Sequence, residues 1–431
     1  MISSNISVNE TSHLCFAGVD VTALAARYGT PLYLLDEDRI RERCRTYKSA
    51  MAAAFGPRAL PLYAGKALCV RDLYRIMREE EMGIDVVSSG EIYTAKSAGF
   101  PMERAYFHGN GKTDADVAFA MEAGVGTFVC DSREELDAIS RFATERGITQ
   151  RVLLRLAPGI DPHTHRAIST GSVDSKFGAA IETGGAEALC RAALSLSGVR
   201  LVGFHCHIGS QIFDTAPFLD AVRIMFSFAA DMRERLGYTA EEINLGGGLG
   251  VRDLAEHPTI DYAACIAEIG TAVTEACRAL SFPLPAIRME PGRSIVADAG
   301  MTVYTVGSVK EIPGFKNYVA VDGGMPDNPR YALYESPYTV LPANRMNEKR
   351  DFVCSIAGRC CESGDLIQEG VALPRLVRGD LVAVLTTGAY NYSMASNYNR
   401  IPRPPMVLLS GGHDRLIVRR ESFEDLLRNE L

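Results

Sequence analysis

Thr127-Phe128-Val129-Cys130, then Asp131-Ser132-Arg133-Glu134-Glu135 opening a helical pattern over residues 132–146, then Val152-Leu153-Leu154-Arg155-Leu156: this stretch decides the fold. It joins a short apolar run to a helix that starts with a Ser or Asp cap and acids in its first turn. A second short apolar run follows. These are the parts of a right-handed βαβ unit, and such units build a parallel sheet. The alternation continues outward on both sides. Leu62-Tyr63-Ala64, Ile84-Asp85-Val86-Val87 and Ala105-Tyr106-Phe107 precede the stretch. Leu201-Val202-Gly203-Phe204, Ile243-Asn244-Leu245 and Ala286-Ile287-Arg288-Met289 follow it, which makes eight runs over roughly 230 residues. That count and length suit a (β/α)8 barrel, which takes about 250 residues.

The pattern changes after Ser294. Residues 301–312, 318–321, 352–356, 381–385 and 406–409 look like strands separated by turn residues, with no helical pattern between them until 421–431. This reads as a mostly antiparallel β domain. Pro31-Leu32-Tyr33-Leu34-Leu35, ahead of the first barrel unit, is a strand that could join it. The expected class is α/β. A (β/α)8 barrel spans 36–294, and a second, mostly antiparallel β domain at the C-terminus spans 295–431 with a strand from 1–35. The 431-residue length agrees, since about 150 residues per domain gives two or three domains.

Composition narrows the class of function. A net charge of −8 argues against a nucleic-acid partner. No stretch reaches the 18 or more apolar residues of a spanning helix, so no membrane partner is expected. Residues 1–15 are polar, without the basic and apolar regions of a secretory signal. Eleven scattered cysteines, an odd number with no CxxC pair, fit free thiols in a reducing compartment and so a cytoplasmic protein.

Barrel sites lie at the C-terminal ends of the strands, and these ends are chemically rich. After the first run comes Ala64-Gly65-Lys66-Ala67-Leu68. This reads as a lysine inside an apolar strand, where burial lowers its pKa and suits Schiff-base chemistry; a lysine snorkelling at a strand end reads equally well. After the seventh, Gly246-Gly247-Gly248-Leu249-Gly250 has more glycine than a turn needs, and its backbone N–H groups could approach an anion. After the eighth, Glu290-Pro291-Gly292-Arg293 offers a carboxylate and a guanidinium. Arg293 could clamp a phosphate or a carboxylate, or simply pair with an internal acid.

After the sixth run, His205-Cys206-His207 puts two histidines on one face of a strand. A metal reading competes there with one in which one ring stacks on a flat ligand and the other packs. The other histidines offer no second clean ligand pair at another strand end, so no metal is expected. Pyridoxal 5′-phosphate would use all of these features together: a Schiff-base lysine, an anion-binding loop, a carboxylate for the ring nitrogen and a ring to stack on it.

With these motifs in order, the chain resembles the fold-type III pyridoxal-phosphate decarboxylases, built from an alanine-racemase-like barrel plus a β domain. The resemblance runs from about residue 31 to 421. It matches the family's lysine motif at Lys66, its Asp85-Val86-Val87-Ser88-Ser89-Gly90-Glu91 segment and its fifth-strand loop, Asp161-Pro162-His163-Thr164-His165 to Ser175-Lys176-Phe177-Gly178. It also matches at His207 to Gln211, at Gly246 to Gly250 and at Glu290 to Arg293.

The resemblance implies that Lys66, Asp85, His207, Ser210, Gly246, Gly247, Gly248, Glu290, Gly292, Arg293 and Tyr390 bind the cofactor, with His207 stacked on its ring. It implies that Arg293, Arg330, Tyr334, Glu362 and Tyr390 grip the substrate. Lys66, His207 and Cys361 would be catalytic, Cys361 by protonating Cα. The cysteine motif Cys361-Glu362-Ser363-Gly364-Asp365 comes from the partner chain in this family, which implies a homodimer with shared sites. Bland readings stand beside these roles: Cys361 as a packing thiol, Glu362 as a solvated turn residue, Arg330 paired with Asp327 or Glu335.

The sequence departs from the pattern at Leu68, at Gly111 and Thr113, at Tyr331 and at Arg359. Tyr331 and Arg359 sit beside the substrate motifs. The expected reaction is loss of the carboxylate at the D centre of meso-diaminopimelate to give L-lysine and CO2. The alternative is a same-fold decarboxylase for D-ornithine, D-lysine or a carrier-bound glutamyl group.

Overall fold

The computed structural model describes residues 2–160 and 176–431. The chain divides into two compact units. Arg43–Gly250 and Ile260–Gly292 form one; Met1–Glu42, Val251–Thr259 and Arg293–Leu431 form the other.

The first unit holds eight parallel strands: Leu60–Ala64 (β1), Gly83–Val86 (β2), Ala105–Phe107 (β3), Thr127–Cys130 (β4), Gln150–Ala157 (β5), Val199–His205 (β6), Glu242–Asn244 (β7) and Ala286–Met289 (β8). Each pairs with the next, β8 pairs with β1, and the ring is a closed barrel. The eight apolar runs read from the sequence are these strands, with ends shifted by at most two residues. The helix after β4 starts where its cap dictates: Ser132 Oγ accepts the Glu135 N–H at 3.2 Å, with Glu134 and Glu135 in the first turn. Leu62, Tyr106, Val129, Leu153 and Val202, from five of the strands, pack into one buried cluster. Truncating such a side chain, as in Leu153→Ala, costs ~2–5 kcal/mol. The interior is therefore filled, and chemistry is left to the strand ends.

The second unit is built on the strand Gly300–Lys310. Its first half pairs antiparallel with Leu32–Asp36 and with Leu381–Leu385, and its second half with Tyr318–Val321. Phe352–Ala357 and Leu366–Leu373 extend one side, Met406–Ser410 and His413–Val418 the other. Six of the eight strand pairings are antiparallel. Alternation sorts the long strand's side chains: Met301 and Val303 enter one core with Leu32, Leu34, Val407 and Leu409, while Tyr304 and Val306 enter another with Val319, Ile356 and Val382.

Several elements lie outside the sequence reading. Ile6–Val8, Leu14–Phe16 and Val19–Asp20 form a small sheet in the stretch read only as polar. Val340–Pro342, Leu366–Leu373 and His413–Val418 add strands, and Arg330–Tyr334 is a short helix within the region read as all β. The expected terminal helix shrinks to Phe423–Leu427, capped by Ser422.

Candidate active site

Six of the eight strand ends of the barrel unit contribute to one cavity of about 260 Å³, lined by Lys66, Asp85, Val87, His108, Gly109, Arg155, Phe177, His205, His207 and Glu290. Lys66 corrects its sequence reading. It lies beyond β1, on the 3-10 turn Gly65–Ala67, and is exposed while Gly65 and Ala67 beside it are buried. A turn, not a strand interior, carries the amine into the cavity. Gly292 lies behind that turn, where a Cβ would come within 2.9 Å of Ala64 and 3.2 Å of Ala67. Its place is set by packing.

Glu290 is the most elaborately held side chain of the cavity. Asn244 Nδ2 donates to its Oε1 at 2.7 Å. His108 Nε2 lies 2.9 Å from the same oxygen, and His205 Nε2 lies 3.2 Å from Oε2. Burial alone would raise this carboxyl. The two histidines more than offset it and hold Glu290 well below the usual carboxylate range. The histidines differ between themselves. Burial pushes His205 down to about 4, so it is neutral and its Nε2 carries the hydrogen that meets Glu290. Burial also opposes charge on His108, but Asp85, at 3.8 Å, and Glu290 overcome it and raise the ring above its ordinary value. Asp85 itself is pushed up by burial.

The sequence pairs His205 with His207 on one strand face and offers no second clean ligand pair at another strand end. The neighbour of His205 in space is His108, directly after β3, and polar atoms of His108, His205 and Glu290 all lie within 4.8 Å of one another. His207 stands apart from that group, beyond the end of β6. Burial first, then the charges of Lys66 and Arg155, drive His207 well below its ordinary value. It is a neutral ring whose Nδ1 accepts the Gly247 N–H at 3.3 Å.

The glycine loop is shaped by close approach. A Cβ on Gly246 would fall 2.5 Å from the Cys206 carbonyl oxygen, and one on Gly247 would fall 2.1 Å from that of Glu290. Gly246 and Gly248 also have positive φ, 69° and 125°. The Gly246 N–H donates to Asn244 Oδ1 at 2.9 Å and the Gly247 N–H to His207. Two of the amides expected to face an anion therefore brace the loop against the strand ends. The loop after β6, which carries Ser210, is tied to it through Ile212 N–H to Gly248 O and a bridge from Ile212 to Leu249.

In the other unit, Arg293 and Arg330 are both buried and both lie over the ring of Tyr390, at 4.7 and 5.4 Å from its centroid. Arg330 also lies 5.3 Å from the ring centroid of Tyr334 and donates to Ser336 Oγ at 3.2 Å, not to Asp327 or Glu335. Burial, then the neighbouring Arg330 charge, lowers Arg293. Two guanidinium groups over one aromatic ring bring two positive charges together, an arrangement with the chemistry to take a carboxylate. Tyr390 holds a positive φ of 61°, a strained conformation for a non-glycine residue.

Cys361 and Glu362 sit on an exposed turn. The Cys361 N–H donates to Asn399 Oδ1 at 2.8 Å, and Glu362 Oε1 accepts from the Gly364 N–H at 3.2 Å. Buried Asp365 anchors the turn, accepting from the Met325 N–H at 2.6 Å and the Cys360 N–H at 2.8 Å. The loop motif at residues 161–175 lies outside the described residues.

Four further residues shape the cavity without having been assigned roles from the sequence: His108, Asn244, Arg155 and Phe177. His108 was accessible to the strand-end rule. Asn244 and Arg155 were quoted within strands, but nothing local marks them. Arg155 stacks over Phe177 at 4.3 Å.

Residues 37–297 match the family of pyridoxal-dependent decarboxylases through its pyridoxal binding domain. The chain is 45% identical to a diaminopimelate decarboxylase of Bacillus subtilis, covering 98% of this chain and 96% of that one. It is 40% identical to one of Staphylococcus aureus, covering 99% of both. The solved structure of a diaminopimelate decarboxylase from M. jannaschii in co-complex with L-lysine superposes with a TM-score of 0.91 at 35% identity, covering 99% of this chain and 98% of that one.

Proposed function

The chain belongs to the diaminopimelate decarboxylase family of pyridoxal-dependent decarboxylases, and from that premise we propose that it removes the carboxyl group at the D centre of meso-diaminopimelate, giving L-lysine and CO2. The observation that carries the reading is one cavity that presents both the Lys66 amine and the ionised Glu290 carboxylate.

The cavity's chemistry fits the cofactor. Glu290 Oε2 has one protein donor where a carboxylate oxygen takes about two, so it retains room for a ring N–H. The buried Asp85 Oδ1, His108 Nε2 and His205 Nδ1 have no hydrogen-bond partner in the protein, His108 Nε2 meeting Glu290 at ion-pair distance only. Pyridoxal 5′-phosphate, when bound, supplies the electron sink for the pair left on Cα as CO2 departs. In this reading Lys66, Asp85, His207, Ser210, the Gly246–Gly248 loop, Glu290, Gly292, Arg293 and Tyr390 hold it.

The protein's own groups do the rest. The Lys66 amine would hold the cofactor, and its place in the cavity would let substrate and product amines exchange with it. Glu290, kept ionised, holds a proton at the ring nitrogen. His207, neutral, offers an apolar ring face without adding a positive charge. Arg293 and Arg330, with Tyr334 and Tyr390, take the distal carboxylate, and Glu362 takes the distal ammonium. Cys361 Sγ delivers the proton to Cα. The exposure of Cys361 and Glu362 in the single chain supports a homodimer in which they serve the partner's site. All eleven cysteines are free thiols, which supports a cytoplasmic location. No helix among the described residues is long and apolar enough to cross a membrane.

The test is CO2 release by the cofactor-loaded protein with meso-, LL- and DD-diaminopimelate, D-ornithine, D-lysine and L-ornithine, using Lys66→Ala as the blank. Turnover of the meso isomer alone, with lysine as product and none from the blank, is expected. Turnover of a shorter diamino acid instead would move the substrate assignment, and equal CO2 from the Lys66→Ala protein would sink the mechanism.

A further inference from the structure

Glu290 is held by two hydrogen bonds and by one contact of a different kind. Asn244 donates to Oε1, neutral His205 donates to Oε2, and each fixes one oxygen. His108 adds something of a different kind. Its Nε2 stands between two buried carboxylates, 2.9 Å from Glu290 Oε1 and 3.8 Å from Asp85 Oδ1. Its ring packs edge-on against that of His205, with centroids 4.7 Å apart. The charged and titratable groups around it are Asp85 from β2, Arg155 from β5, His205 from β6 and Glu290 after β8, with Lys66 lining the same cavity. The neighbouring Lys112 faces away, its Nζ held by Gly109 O, Val129 O and Glu135. Of these groups, His108 alone is within ion-pair distance of both acids.

We propose that His108 is a positioning residue of the reaction: its imidazolium, set between Asp85 and Glu290, fixes the proton of the cofactor's ring on the nitrogen and not on Glu290 Oε2. The inference rests on the cofactor reading above and adds to it the group that sets the proton's place. Without the cation, two buried carboxylates face each other with only neutral donors on Glu290. The proton shared between the ring nitrogen and Oε2 then crosses: the N–H bond breaks, an O–H bond forms, and both partners become neutral. The ring loses its positive charge and with it much of its capacity to take up the electron pair from Cα. Asn244 and His205 keep the carboxylate oriented in either case, so the change is one of charge and not of placement.

The test uses the full chain loaded with pyridoxal 5′-phosphate labelled with 15N in the ring. Wild type, His108→Phe, His108→Gln and Glu290→Ala are compared by 15N NMR, with kcat and KM for meso-diaminopimelate measured alongside. The 15N shift reports whether the ring nitrogen carries a proton. His108→Phe is expected to move it towards the unprotonated position and to lower kcat by about tenfold to a hundredfold at nearly constant KM. His108→Gln keeps an N–H donor without the charge; it should share the 15N shift and the nearly constant KM of His108→Phe while keeping the wild-type melting temperature. Both His108 variants at the wild-type shift and kcat, with Glu290→Ala altered in both, would overturn the positioning role and leave the cofactor reading standing. A wild-type shift in Glu290→Ala would overturn the cofactor reading itself. Loss of bound cofactor or of folding in both His108 variants would overturn the proposal too, by making the residue structural.

Discussion

Glu290 in the barrel unit and Asp327 in the other unit are both nearly sealed from water, at 7% and 2% exposure, yet they are driven in opposite directions. Glu290 is held well below the ordinary carboxylate range; Asp327 is pushed up to about 7. Burial acts on both in the same sense and is the largest single influence on each. The difference lies in the partners. Glu290 has two histidines and an amide on its oxygens. Asp327 has the Tyr304 hydroxyl at 2.5 Å and the Gly324 N–H at 3.1 Å, both neutral, with the carboxylates of Asp365 and Asp322 adding repulsion. A buried acid is thus held as an anion where a base that carries charge stands among its partners, as His108 does for Glu290, and is raised where its donors are all neutral and its charged neighbours are acids. Only the first arrangement serves a site that must hold a proton on a ligand.

The comparison breaks most visibly at Asn244. Asn244→Asp replaces the amide, 2.7 Å from Glu290 Oε1, with a second carboxylate and removes a donor from an ion meant to be fully served. An uncompensated buried charge costs ~3–5 kcal/mol, read as a lower denaturation midpoint of the barrel unit. A midpoint equal to wild type would mean that the Glu290 environment is far less exacting than the contacts suggest. Next in size, Glu290→Gln keeps the shape but removes the charge and turns an amide NH2 towards either Asn244 Nδ2 or His205 Nε2. A kcat loss of ~10²–10³ is expected, the scale seen when one preorganised electrostatic group is deleted. Unchanged turnover would show that ionisation of this carboxyl plays no part in the chemistry.

The two regions also differ in how far they can be read from sequence. The eight barrel strands are legible because each is an apolar run between helix signals, and strand-end logic then points at Lys66, His207, the glycine loop and Glu290. What sequence does not carry is which side chains meet across the barrel. Asn244 reaches Glu290 over 46 positions and His108 reaches it from the far side of the ring. The end of β3 marks the position of His108, but nothing in the sequence says that its ring meets Glu290 across the barrel. Lys66 was misplaced for a related reason: an apolar neighbourhood describes a strand interior and a tight turn equally well. In the other unit the strands Val340–Pro342 and Leu366–Leu373 have weak signatures because one is short and ends in proline while the other is interrupted by Gln368-Glu369-Gly370 and buries only Ile367 and Leu373. The N-terminal sheet is held by pairings too brief to show a period.

The smallest expected effect is also the sharpest test of the contrast, because it concerns a slope. Asp327 is raised to about 7, above the ~3.9 of an unfolded aspartate. Between those values the folded chain holds a proton that the unfolded chain has released, so stability falls as pH rises through that window and levels off above it. The full span corresponds to roughly 4 kcal/mol as an upper bound. Asp327→Asn keeps a carbonyl oxygen for the Gly324 N–H and cannot titrate. Its stability relative to wild type should therefore climb between pH 4.5 and 8, by ~1–3 kcal/mol, whatever its offset at the acid end. Glu290→Gln should behave otherwise. A carboxyl whose folded pKa lies well below ~4.3 contributes stability that is fully present above the unfolded value and disappears only as pH falls through the folded one. The Glu290 carboxyl itself adds no slope from pH 5.5 to 8; the slope that Glu290→Gln shows there comes from His108, whose ring Glu290 helps to raise, and in acid the difference from wild type narrows. Denaturant melts of both variants across the same pH series decide the matter: a difference that climbs with rising pH from 4.5 in Asp327→Asn but narrows with falling pH in Glu290→Gln would mean that the partners set the charge of each acid, and acid limbs of the same sign in both would mean that they do not.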